Sequence, residues 1–185
     1  NAALAADVCK AVLGVRPEPM HLLKLEKSDY GAFKVYWLKN SEGEEISFLN
    51  LFAVNDPVSA LNMLNSTLPD NAQLIYIFNT RLDRPDRTAL FAEHFFPHAP
   101  RGEIRIIGEA KWLAKRLLKK RGFSSAVFNS WQKALNVTGK AWLAGLCNMK
   151  DPGIKILDAL EKGCLKEMKT PLNAIKSNVV GEGRL

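Results

Sequence analysis

Four short, largely apolar runs recur along this chain, and they constrain its fold more than any other feature. They are Ile46 to Val54, Gln73 to Phe78, Glu103 to Gly108 and Lys140 to Cys147. Each is too short for a core helix, and the first is almost uninterrupted by polar residues. Such runs predict strands buried on both faces, the arrangement of a parallel sheet. Between them lie segments of a different period. Pro57 opens a helix whose apolar stripe is Val58, Leu61 and Leu64. Thr88 to Phe96 is a second helix, stopped by Pro97, and Ala110 to Arg121 a third, ended by Gly122. Ser130 to Leu135 is a short helical piece, and Ile154 to Glu161 a last helix before Gly163. Another strand, Phe33 to Leu38, precedes the series, with Asn40-Ser41-Glu42-Gly43 as its polar turn.

Strands alternating with helices place the chain in the α/β class, as a Rossmann-like three-layer domain with a mainly parallel sheet. Residues 1–32 read differently. Ala2 to Leu13 is an Ala-, Leu- and Val-rich helix ended by Gly14, Met20 to Lys27 is a second helical stretch behind Pro17 and Pro19, and Asp29-Tyr30-Gly31 is a turn. Together they form a short helical connector, and residues 33–185 the domain proper. The tail from Lys169 to Leu185, with Gly181 and Gly183, is expected to be loosely held. The chain opens at Asn1 rather than Met and is read as a piece of something longer.

With 185 residues, 47% hydrophobic and 24% charged, disorder and collagen-like repeats are excluded. No apolar stretch approaches the roughly 20 residues of a membrane helix. Cys9, Cys147 and Cys164 lie far apart, which fits reduced thiols in a cytoplasmic protein. A net charge of +7 points to an anionic partner without selecting one. His94 and His98 lack further ligands at metal spacing, so no metal site is expected here. Neither a GxGxxG nor a GxxxxGK[ST] loop occurs.

In open parallel sheets, ligands bind beyond the carboxyl ends of the strands. Two polar clusters stand there. Asn50 lies inside the first apolar run, and Asn55, Asp56 and Ser59 follow it. Asn55 or Asp56 can cap the next helix, a role compatible with anion binding at the same end. After Phe78 come Asn79, Arg81, Asp83, Arg84, Asp86 and Arg87. Guanidinium forks suit phosphate and carboxylate, although a solvated loop with weak local ion pairs has the same composition. Eight basic residues and two acidic ones lie between Arg101 and Arg121. Lys111, Lys115 and Lys119 share one helix face, as a solvated surface or as a track for an acidic polymer or nucleic acid. Trp112, the one aromatic of that helix, is assigned to its buried side.

The segment Phe48-Leu49-Asn50-Leu51-Phe52-Ala53-Val54-Asn55-Asp56-Pro57-Val58-Ser59 resembles the FVNxFAANDxxS segment of the ATP-dependent ligase subunit of poly-γ-glutamate (capsule) synthase. Asn79-Thr80-Arg81-Leu82-Asp83-Arg84-Pro85-Asp86-Arg87-Thr88 is similar to that family's NxRxDRxxRT, in the right order and at about the right separation. Asn1-Ala2-Ala3-Leu4-Ala5 looks like its NxxLA. Tyr30 stands at an expected Pro and Lys34 at an expected Arg. The family's GxGNxxG is matched only at Gly145 and Asn148. The resemblance implies the Mur ligase superfamily, with residues 33–185 as its C-terminal domain. It implies ATP and Mg²⁺ in the full-length enzyme, held by a preceding P-loop domain, and an acyl phosphate on the acceptor carboxylate. Glutamate and the growing acidic polymer are then the substrates. Membrane subunits of a synthase complex are then the partners, which would associate the full-length protein with a membrane, and no nucleic acid is expected. By the same resemblance Asn50, Asn55 and Asp56 are catalytic, and Ser59, Asn79, Arg81, Asp83, Arg84 and Arg87 bind substrate or nucleotide. Lys111, Lys115 and Lys119 would meet the polymer. The competing readings are a basic nucleic-acid-binding module and a non-catalytic nucleotide sensor.

Overall fold

The computed structural model describes residues 10–12, 31–40, 42–162 and 173–178. The chain divides into two compact units, Asn1–Tyr30 and Gly31–Leu185. Of the first, only 10–12 are described, and they are helical, so the rest of the expected connector lies outside the described residues.

The second unit is built on one sheet. Its strands are β1 (Val35–Lys39), β2 (Glu45–Leu51), β3 (Leu74–Thr80), β4 (Glu103–Gly108), β5 (Ala126–Val127), β6 (Ala141–Leu146) and β7 (Asn173–Asn178). The helices are α1 (Pro57–Thr67), α2 (Pro85–His94), α3 (Lys111–Lys120), α4 (Trp131–Ala134) and α5 (Gly153–Glu161). The strand order is β5-β4-β3-β6-β2-β1-β7. The five strands from β5 to β2 are parallel, and β1 and β7 add antiparallel pairs at one side. The three-layer α/β expectation is therefore met.

Period two decides the layers. In β2, Leu49 and Leu51 face one layer while Ile46 and Phe48 face the other. In β3, Leu74, Tyr76 and Phe78 join the first layer, and Ile75 and Ile77 the second. The first layer is closed by Ala60 and Leu64 of α1, Phe91 of α2, and Ala114 and Leu118 of α3. The second is closed by Leu135 after α4 and by Ile156, Leu157 and Leu160 of α5. Each wholly buried side chain of this size contributes roughly 1.5–3 kcal/mol before entropy is charged against it.

Two glycines set close approaches. A Cβ on Gly145 of β6 would stand 2.6 Å from the Phe52 ring, so only glycine lets that ring lie across the strand. Gly108 ends β4 at φ +91°, and a Cβ there would stand 2.1 Å from the Thr80 carbonyl oxygen.

Two expectations are corrected. Within the tail expected to be loose, Asn173–Asn178 instead pairs with β1, whose edge would otherwise offer an unpaired row of backbone groups; the rest of that tail lies outside the described residues. The second helix begins at Pro85 rather than Thr88, since proline suits the first helical position, where no N–H is needed.

Candidate functional site at the carboxyl edge of the sheet

The chain leaves β2, passes over one strand position to build β3, β4 and β5, and returns to set β6 in the gap. Helices after β2 and β3 cover one face, whereas the helix after β6 covers the other. The connections thus diverge around β6, the topology that in doubly wound sheets locates the ligand crevice beyond the carboxyl ends of the strands. Two strand spacings separate the exits of β2 and β3, about 10 Å. Both polar clusters of the sequence are therefore carried to one edge of the sheet.

Their residues do different things there. Asn50 is buried. Its amide donates to the Ala32 carbonyl at 3.0 Å, and its oxygen accepts from the Phe52 N–H at 3.3 Å. This is how an amide survives inside an apolar strand. Asp56 is exposed and caps α1, accepting from the Ser59 N–H at 2.7 Å. That backbone hydrogen bond holds its carboxyl below the usual range. Asn55 and Ser59 are exposed beside it.

In the second cluster Asn79 is wholly buried. Its amide donates to the carbonyls of Asn148 at 2.7 Å and Lys150 at 2.8 Å, while its oxygen has no hydrogen-bond partner. Arg81 is tied to Asp83 through both guanidinium arms, with Nε at 2.8 Å from Oδ1, and this hydrogen bonding lowers the Asp83 pKa. Arg87 donates to the Cys147 carbonyl at 3.0 Å. Arg84 occupies the N-cap position of α2, where its carbonyl accepts from the Thr88 N–H at 3.4 Å; its exposed side chain makes no hydrogen bond or ion pair among the described residues. It is the guanidinium of this cluster left available for a ligand.

The loop after β6, which the sequence marks only by the GxGNxxG match at Gly145 and Asn148, completes the edge. Asn148 is buried and donates to the Asn79 carbonyl at 3.2 Å, so the exits of β3 and β6 are clasped reciprocally. The signal was available, because an amide at the exit of an apolar run needs internal partners, as Asn50 does. Burial pushes the Cys147 thiol up to about 12 despite the nearby Arg87 charge, which leaves an inert thiol at neutral pH.

The basic helix is not as expected. Trp112 is 62% exposed rather than buried. The buried positions of α3 are Ala114 and Leu118, and the helical period turns Trp112 away from them. Lys115 and Lys119 are exposed, with the Lys115 ammonium 5.7 Å from the Trp112 ring centroid, whereas Lys111 donates to Asn129 at 2.9 Å. The i, i+4 row is therefore free at two positions and tied at one. Among the described residues, no group of three or more His, Cys, Asp or Glu is placed to hold a metal ion.

A three-layer domain that gathers two polar loops at the carboxyl edge of a mainly parallel sheet is an α/β module of the Rossmann-like kind. Residues 35–163 match the family model described as the poly-gamma-glutamate synthase CapB C-terminal domain, and the chain belongs to that family. Over 114 residues it is 37% identical to the PGA synthase CapB of Bacillus subtilis (strain 168). That match covers 59% of this chain and 28% of the relative, so the chain spans little more than a quarter of that protein.

Proposed function

We propose that this domain is the C-terminal, closing part of an ATP-dependent amide ligase of the Mur type that polymerises glutamate. ATP with Mg²⁺, held by a preceding P-loop domain, would activate the acceptor carboxylate as an acyl phosphate for attack by the amine of the next glutamate. The role of the present residues is to bind, orient and cover. Arg84 suits a phosphate or the carboxylate of the incoming amino acid. Asn55 and Ser59 add hydrogen-bonding groups across the crevice, and Asp56 fixes the turn that presents them. Arg87, Asn79 and Asn148 hold the floor on which Arg84 stands. The reading extends to a synthase complex with membrane subunits, the family resemblance being its support.

The observation that carries the proposal is the exposure of this edge. Val58 is 60% exposed, Leu82 68% and Ile154 41%, and all three stand on first helical turns or loops at the carboxyl ends of strands, the edge that also carries Arg84. Exposed apolar side chains around a polar centre mark a surface that another surface covers. A covered guanidinium acts in a drier medium, where one positioned donor is worth about 2.7–4 kcal/mol to a transition state. Arg84→Ala in the full-length protein should lower ATP-dependent incorporation of labelled glutamate about 100- to 1000-fold, with the thermal midpoint unchanged. An unaltered rate would refute the assignment.

A further inference from the structure

We infer that the exposed face of α3, from Trp112 to Lys119, with the groove beside its C-terminal half, is a track for a polyanion of γ-linked glutamyl residues. The inference rests on the ligase reading above and adds a second surface to it. On a 100° helical step, Trp112, Lys115, Arg116 and Lys119 fall within an arc of about 100°, opposite Ala114 and Leu118. A tryptophan at 62% exposure does nothing for the core of the domain. Next to it a groove of about 460 Å³ is lined by Lys115, Lys119, Gly122, Phe123, Ser124 and Ser125. Among the described residues, no carboxylate lines it. Arg121, beyond the groove, is paired with Glu93 at 3.1 Å, and Lys111 is tied to Asn129, so Lys115, Arg116 and Lys119 are the charges of this face left to meet a ligand.

The occupant follows from the chemistry of this face. It presents an indole for methylene groups and two ammonium groups for carboxylates, and a γ-linked glutamyl repeat offers both. An α-linked residue spans three backbone bonds and at most about 3.6 Å. A γ-linked one spans five, hence roughly 6 Å by proportion. Lysines at i and i+4 rise about 6 Å along the helix, which places one ammonium per repeat. Trp112 lies in the first turn of α3, which starts at the carboxyl end of β4. The track therefore begins on the edge of the proposed site and leads away from it, as the path of a growing chain must.

The test is binding of a fluorescein-labelled γ-linked glutamate decamer to the full-length protein by anisotropy, without ATP, at two salt concentrations. The wild type should bind more weakly at higher salt, as polyanion contacts do. Lys115→Glu with Lys119→Glu should weaken binding about tenfold or more, and Trp112→Ala a few-fold, with circular dichroism unchanged. The charge-reversed variant should also make shorter product. Unchanged affinity in these variants overturns the track. Tighter binding of a single-stranded oligonucleotide of equal charge overturns the choice of occupant and makes the face a nucleic-acid surface. Loss of synthesis in Arg84→Ala with decamer binding untouched by the α3 variants sinks the track alone. Intact synthesis in Arg84→Ala with decamer binding lost in the α3 variants sinks the assignment of the site and leaves the track.

Discussion

Replacing Asn79 with alanine is expected to cost the domain about 2 kcal/mol of stability, and the figure can be worked from two hydrogen bonds and one unpartnered oxygen. The side-chain amide donates to the Asn148 carbonyl at 2.7 Å and to the Lys150 carbonyl at 2.8 Å, in a wholly buried position. Each carbonyl that loses a buried donor costs roughly 1–3 kcal/mol, nearer the lower figure because a carbonyl tolerates partial satisfaction better than an N–H does. The Asn79 oxygen is itself unpartnered, so its removal returns on the order of 1 kcal/mol. The small void left by the amide adds a little to the cost. Two kcal/mol lowers the melting temperature of a domain this size by about 4–8 °C. Differential scanning calorimetry of the chain reads that shift. Asn79→Asp is the isosteric control: it keeps the volume but turns the donors into acceptors facing two carbonyls, and should destabilise further. A fall below about 1 °C in the alanine variant, or an aspartate variant as stable as the wild type, would refute the clasp between β3 and β6.

Two further perturbations test other parts of the frame. Gly108→Ala sets a Cβ 2.1 Å from the Thr80 oxygen on a backbone at φ +91°. Left-handed backbone costs an ordinary residue roughly 1–2 kcal/mol and overpacking about 1–3 more, so the urea midpoint should fall steeply, and a loss under about 1 kcal/mol contradicts the close approach. Glu161 accepts from Lys34 at 2.6 Å and from Tyr36 at 2.7 Å. Desolvation raises its pKa, but the hydrogen bonds from Lys34 and Tyr36 outweigh that, and the net shift is below 4.5. Its stabilisation is therefore fully present above about pH 4.5 and is lost as pH falls through the folded value. The stability gap between wild type and Glu161→Gln should close on acidification from pH 6 to pH 3, and a constant gap would contradict the pairing.

Much of this was legible in the residues. Runs such as Ile46–Val54 and Gln73–Phe78 are apolar because both sheet faces are covered, so class and strand order along the chain follow from pattern alone. Asp56 is likewise readable as a cap, since that role depends on a residue three positions away. Arg84 and Arg87 show where reading stops: they are alike in sequence, yet one is free and the other is bound to the carbonyl of Cys147, 60 positions on. The exposure of Trp112 depends on which face of α3 meets the sheet, and the basic row does not specify that. Composition and periodicity, being local, settled the central strands and helices and the edge on which the polar loops gather, but not the pairing of Asn173–Asn178 with β1. Which side chains remain available there was decided by the return of β6 between β2 and β3, because hydrogen-bond partners distant in sequence are chosen only when the sheet closes around them.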